Sequence, residues 1–350
     1  MSSKIYVGTK AFALRGTLID PGTVQKLAEA ASLDELVNRL KGTSYSEVVS
    51  ALSPPFSARR IELALRERLA VVQNSIIKGA GRYGILELYY LKNIAWDLKL
   101  ALKAKVLNRT FEETVEFLDM KAEELVGRRD LMVKILSAKD INEAVAGLSG
   151  TEFHSDAEEA LASYSARGEI KFFDLFIDHA VLSAVSTEYS LNSKIYASKA
   201  ADANNVKEIV ALDIDGYNVL SVLRARLWGL PEAEVNDLVI RPTRRVAAPV
   251  LASMAGADST VEAVKLLEPF YNFRIQGAQS DEDLIDMVED GFANKMRQTS
   301  TLAFVWQGLG PSAALALIKL LEFEVGNLAA IAIGVEAHIE PKKILSKLRI

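Results

Sequence analysis

Apolar residues recur at intervals of three and four through most of this chain. In IELALRERLAVVQNSII (61–77), Ile61, Leu65, Leu69, Val72 and Ile76 share one helical face, with Arg66 and Arg68 between them. FEETVEFLDMKAEELVGRRDLMVKIL (111–136) and STVEAVKLLEPFY (259–271) carry the same period, and strand-like alternation is rare. Helix starts are marked by a Ser or Asp ahead of acids: Ser32 before Asp34 and Glu35, Ser46 before Glu47, Asp140 before Glu143, Ser280 before Asp281 to Asp283. Turns are expected at Ser53-Pro54-Pro55, Gly79-Ala80-Gly81, Leu230-Pro231 and Pro242. The pattern predicts an all-α fold of many helices with short loops.

The pattern also returns at long range. KNIAWDLKLALKAKVLN (92–108), DIDGYNVLSVLRARLWG (213–229) and EFEVGNLAAIAIGVEAH (322–338) align without gaps, at spacings of 121 and 109 residues. Charged Lys92, Asp213 and Glu322 coincide, as do Asp97, Asn218 and Asn327. A weaker match joins LDELVNRLKGTSY (33–45), INEAVAGLSGTEF (141–153) and TVEAVKLLEPFY (260–271). The period is far longer than that of solenoid repeats. It predicts three similar helical bundle domains, 1–125, 126–244 and 245–350, in a triangular, pseudo-threefold body.

Composition narrows the function. The 350 residues carry a net charge of −5, which argues against nucleic-acid binding, and no cysteine, which removes disulfides, thiolate metal sites and Cys nucleophiles. TSTLAFVWQGLGPSAALALI (299–318) is uncharged over a length that could span a bilayer. The Gln307 and Gly308-Leu309-Gly310-Pro311 break favours two short buried helices with a turn between them.

The middle repeat holds Asp213, Asp215, Asn218, Arg224 and Arg226 among Leu and Val. Two accounts fit. In the structural one, acids near the helix start and arginines near its end complement the dipole, and Asn218 ties a neighbouring loop. In the other, these groups rim a cavity that receives another protein. A catalytic pair is disfavoured, because residues two apart on a helix point in roughly opposite directions.

LLEFEVGNLAAIAIGVEAHIEPKKILSKL (320–348), with Glu324-x-x-Asn327-Leu328 followed by Ile331-x-x-Gly334, resembles the C-terminal part of the C subunit of archaeal A-type ATP synthases, a family similar to the d subunit of eukaryotic V-type ATPases. Asp215-x-x-Asn218 with Leu223-Arg224-x-Arg226 and Gly229 resembles that family's central repeat, and Leu40-x-x-Thr43-x-Tyr45 also fits. The first copy departs at Ile94-x-x-Asp97. The third has Gly326 before Asn327 and lacks the later basic residue. The resemblance implies a funnel of three helical domains without catalytic activity or cofactor. It would sit peripherally on the cytoplasmic face of the membrane, on the proteolipid ring, with the central axle subunits D and F plugged into its hollow top. Asp213, Asp215, Asn218, Arg224, Arg226, Glu324, Asn327 and Asp97 are then candidate interface or structural positions.

Arg241, Arg244 and Arg245 form a basic cluster, either a solvated linker or a docking point for a neighbouring subunit or anionic lipid. Gly79-Ala80-Gly81-Arg82-Tyr83-Gly84 matches a dinucleotide fingerprint but follows a helix pattern, so an inter-helix turn is expected. His154, His179 and His338 lack metal-ligand spacing, and Trp96, Trp228 and Trp306 read as packing residues. The alternatives to a coupling subunit are a generic helical adaptor and, further off, a helical nucleotide-binding enzyme.

Overall fold

The computed structural model describes residues 3–81, 83–118, 120–196, 200–305 and 310–349, and among these there are helices and no strand. Gln307, Gly308 and Leu309 of the expected break, Trp306, and Arg82 of the glycine-rich turn lie outside the described residues.

Six long helices carry the architecture: Ala58–Ile77, Gly84–Val106, Phe172–Tyr196, Ala200–Leu227, Asp281–Val305 and Pro311–Glu336. Taken in order they form three hairpins. The second helix of each hairpin packs most extensively on the first helix of the next, and Pro311–Glu336 returns to pack on Ala58–Ile77. The pairing therefore runs in a closed cycle, with the end of the chain packed on its beginning. Ile61, Leu65, Leu69, Val72 and Ile76 are all buried, as their spacing requires.

Two expectations change in detail. The stretch 111–136 is three short helices, Phe111–Val115, Met120–Leu125 and Arg129–Ser137, each turned so that its own apolar residues, such as Ala122, Met132 and Ile135, face inward. The uncharged stretch 299–318 is the junction of two long helices, one ending at Val305 and the other starting at Pro311. It lacks charge because residues 310–318 are buried in the protein. No helix of the described residues is long and apolar enough to cross a membrane.

The aligned segments share local structure. Helices Gly84–Val106, Ala200–Leu227 and Pro311–Glu336 end at the same aligned position, where Asn108, Gly229 and His338 adopt φ of 54°, 66° and 54°. Beyond each, an N–H reaches back to a helix carbonyl: Arg109 to Ala104, Leu230 to Ala225, Ile339 to Gly334. These closures satisfy carbonyls that the helix end would leave without partners. The second set agrees too. Ser32, Asp140 and Ser259 cap helices Leu33–Leu40, Ile141–Ala146 and Thr260–Lys265, and each accepts from the N–H of a glutamate, Glu35, Glu143 or Glu262.

Candidate functional site

The three charged residues that coincide in the alignment meet in space. Lys92 Nζ lies 3.5 Å from Asp213 Oδ1 and 3.9 Å from Glu322 Oε2. Lys319, one turn before Glu322, sits 2.9 Å from Asp213 and 3.2 Å from Glu322. The Tyr89 hydroxyl donates to Asp213 at 2.6 Å. Two ammonium groups and two carboxylates from three helices thus form one neutral cluster. Lys319 is 2% exposed there, a position an ammonium occupies only when paired.

The electrostatics follow from that pairing. Burial opposes the charge on Lys92, but Asp213 and Glu322 outweigh it and hold the ammonium on. Burial also acts against the Asp213 carboxylate, yet Lys319, Lys92 and the Tyr89 hydroxyl draw it below the ordinary aspartate range. Lys319 is pushed down, first by burial, with Lys92 beside it adding to the effect. Against this cluster lies a cavity of 330 Å³ whose lining includes Lys92, Trp96, Lys99, Asp178, Tyr217 and Glu322. Lys99 and Asp178 bridge across it at 2.7 Å, and the Arg66 guanidinium stacks 3.9 Å from the Trp96 ring.

The other polar residues of the repeat serve a different purpose. Asn218, wholly buried, donates to the Ile240 carbonyl at 3.1 Å and accepts from the Ile240 N–H at 2.8 Å. Asn327 does the same to Arg349, also 22 residues on, at 3.1 and 2.8 Å. Asp97, at the third aligned position, is 1% exposed.

Asp215 and Glu324 form a second matched pair. Asp215 accepts from the Arg245 N–H at 3.1 Å and from the Tyr271 hydroxyl at 2.7 Å. Glu324 accepts from the Ile19 N–H at 2.6 Å and from the Tyr45 hydroxyl at 2.8 Å. The tyrosine follows the backbone donor at the same sequence separation in both. Burial raises both carboxylates above their ordinary range despite these bonds. In the first copy the acid is Ile94 and the aligned aromatic is Phe153, so both halves of the latch are apolar together. Asp215, Asn218, Glu324 and Asn327 direct their polar atoms to the chain's own backbone and to the Tyr271 and Tyr45 hydroxyls, as a tether does. Asp213 and Asp215 lie in the middle of Ala200–Leu227 and not near its start, so the dipole does not account for them.

Arg224 bridges to Glu289 at 2.5 Å, and Arg226 donates to the Ala255 carbonyl. Of the basic cluster, Arg244 is half-buried on Ser186 and Ser190 and against the Tyr189 ring, Arg245 pairs with Glu208, and Arg241 is exposed. The glycine-rich segment 79–84 joins two helices, so no strand feeds it. His179 holds Asp156 at 2.5 Å and lies 3.3 Å from the Ser183 hydroxyl. That order suits a nucleophile, but Ser183 is mid-helix, where the neighbouring N–H groups are committed to the helix and cannot form an oxyanion hole.

Sequence reasoning leaves Lys319 and Tyr89 out of the site, and finds Lys92 and Glu322 only as aligned charges. The signal that could have found the rest is Lys319 itself, a lone cation inside the apolar run PSAALALIKLL.

Fold and site together define an all-α protein of interlocked hairpins built around a shared ionic junction. The chain belongs to the ATP synthase (C/AC39) subunit family, whose model matches residues 7–347. It is similar to the A-type ATP synthase C subunit of Haloferax volcanii, at 28% identity covering 99% of this chain and 97% of that protein. Those of Methanocaldococcus jannaschii and Pyrococcus horikoshii are 25% and 26% identical, covering 98% and 97% of this chain and 85% and 88% of theirs.

Proposed function

We propose that the chain is a non-catalytic coupling subunit of a rotary ATP synthase, placed on the cytoplasmic face of the membrane between the proteolipid ring and the axle formed by subunits D and F. Three bundles compose it, bounded at the hairpin tips: residues 84–196, residues 200–305, and a third made of residues 3–77 with 311–349. A pseudo-threefold relation among them would bring the aligned Lys92, Asp213 and Glu322 together, and these three residues do meet at the ionic junction. The observation that carries this reading is the junction itself, where Lys92, Asp213 and Glu322 bring three helices together beside an open cavity. A part that transmits torque must resist shear between its lobes, and a slip that left one charge of the cluster buried without its partner would cost about 3–5 kcal/mol.

The axle end seats over the cavity, against Lys99, Asp178 and Tyr217, while Asp215, Asn218, Glu324, Asn327 and Asp97 brace the walls. Co-purification of the chain with D and F, and separately with the detergent-solubilised ring, tests the role. Binding to neither partner would overturn it. Lys99→Glu is expected to weaken axle binding by about tenfold or more while the helical circular dichroism stays unchanged. An unchanged affinity would move the axle contact away from this cavity.

A further inference from the structure

The three repeats serve as internal controls: what all three need is dictated by the fold, and what one alone carries calls for another reason. After Tyr45 a helix begins at once, Ser46–Ser50, and after Phe153 another begins, His154–Arg167. After Tyr271 the chain runs without helix until Asp281. This non-helical stretch runs beside the Asp281–Val305 helix, and residues 270–274 line a cavity of 650 Å³ with one face of that helix. Its floor is built closely. A Cβ on Gly291 would lie 2.5 Å from the Phe273 ring, so the glycine lets that ring lie flat on the helix. Phe273 in turn stacks on Tyr271 at 5.5 Å.

The lining is cationic in an acidic chain. Arg245, Arg274 and Lys295 face the cavity, and no Asp or Glu is among the described lining residues. Arg245 is shared with Glu208, while Arg274 and Lys295 are exposed and enter no ion pair among the described residues. At the backbone position that holds Arg245 against Asp215, the matching latch has Ile19 against Glu324, so the latch itself does not need the arginine. Asn272, Asn294 and Gln298 add amide donors, and Phe270 and Met287 an apolar wall. A volume in the range of small-molecule sites, with guanidinium and ammonium groups at the rim and aromatic surface inside, suits a phosphate-bearing molecule with an apolar or planar portion.

We propose that this cavity binds such a phosphorylated ligand, either a soluble nucleotide or the headgroup of an anionic phospholipid. The cavity lies apart from the ionic junction, and the proposal does not depend on the coupling role. Calorimetric titration of the full chain with ATP and with pyrophosphate tests the soluble source. Co-sedimentation with phosphatidylglycerol vesicles, against phosphatidylcholine vesicles, tests the lipid source. The double variant Arg274→Glu/Lys295→Glu changes only exposed side chains, and Lys342→Glu/Lys343→Glu makes the same charge change elsewhere. The expected result is binding to ATP or to phosphatidylglycerol vesicles that falls at least about tenfold in the cavity variant and less than about twofold in the control. Loss in the ATP arm identifies a nucleotide and loss in the vesicle arm a headgroup. Binding to none of the probes, or equal losses in the two double variants, would overturn the proposal.

Discussion

Single residues in this protein do the same work at repeated positions, and their differences set what each is worth. The Tyr271 hydroxyl donates to a buried carboxylate, a bond of the stronger class. Tyr271→Phe is expected to destabilise the fold by about 1.5–3 kcal/mol, read from urea unfolding. Gly229 ends its helix at φ 66°, and a Cβ added there would meet nothing within 4 Å, so its requirement is conformational alone. Gly229→Ala should cost about 1–2 kcal/mol by forcing an L side chain into the left-handed region. Asn108 and His338 occupy the same backbone region with side chains, so His338→Ala should cost much less than Gly229→Ala, since an unfavourable side chain is already present there.

At the scale of elements, helices are positioned by side chains that reach past the helix end. Asn218 closes two bonds on Ile240, whose N–H and carbonyl make no other hydrogen bond among the described residues. Asn218→Ala should cost about 2–4 kcal/mol, whereas Asn327→Ala, at a half-exposed site, should cost about 1 kcal/mol. Thermal unfolding of the two variants side by side checks the difference. The helices themselves are legible in the sequence, because Ile61 to Ile76 and the Ser32, Asp140 and Ser280 starts follow local rules of period and capping. The tethers are half legible. Alignment marks Asn218 and Asn327 as equivalent, but nothing local to either names a partner 22 residues away. The junction is least legible, since it depends on which helices meet, and only Lys319 in its apolar surroundings signals a charge that has to be paired. The repeat alone names no partners across its joins: the Arg245 N–H and the Tyr271 hydroxyl both bond to Asp215 across residue 244.

For the whole molecule, closure of the cycle and the ionic junction are the features no single bundle could supply. The Glu324 latch fastens residues 19 and 45 to a helix near the other end of the chain. Glu324→Ala should therefore raise amide exchange across residues 19–50 and leave residues 245–271 unchanged, while Tyr271→Phe should do the reverse. The junction adds a dependence on pH whose sign can be worked out. Asp213 titrates below its ordinary value of 3.8 when folded, so between the two values the unfolded chain binds more protons and stability rises with pH. Its contribution is complete above the unfolded value and is lost as pH falls through the folded one. Asp215 and Glu324, raised by burial, act oppositely, and their shifts take stability away as pH rises past 3.8 and 4.5 toward their folded values. Asp213→Asn leaves Lys319 buried beside Glu322 alone and should cost about 3–5 kcal/mol at pH 7. The gap between variant and parent should then shrink as the pH is brought below 3.8, where the parent's unfolded chain takes up a proton at Asp213 that its folded form binds only at still lower pH. Urea midpoints of both proteins measured from pH 7 to pH 3 check this. A gap that stayed constant would mean that the Asp213 charge is not what holds the three helices together.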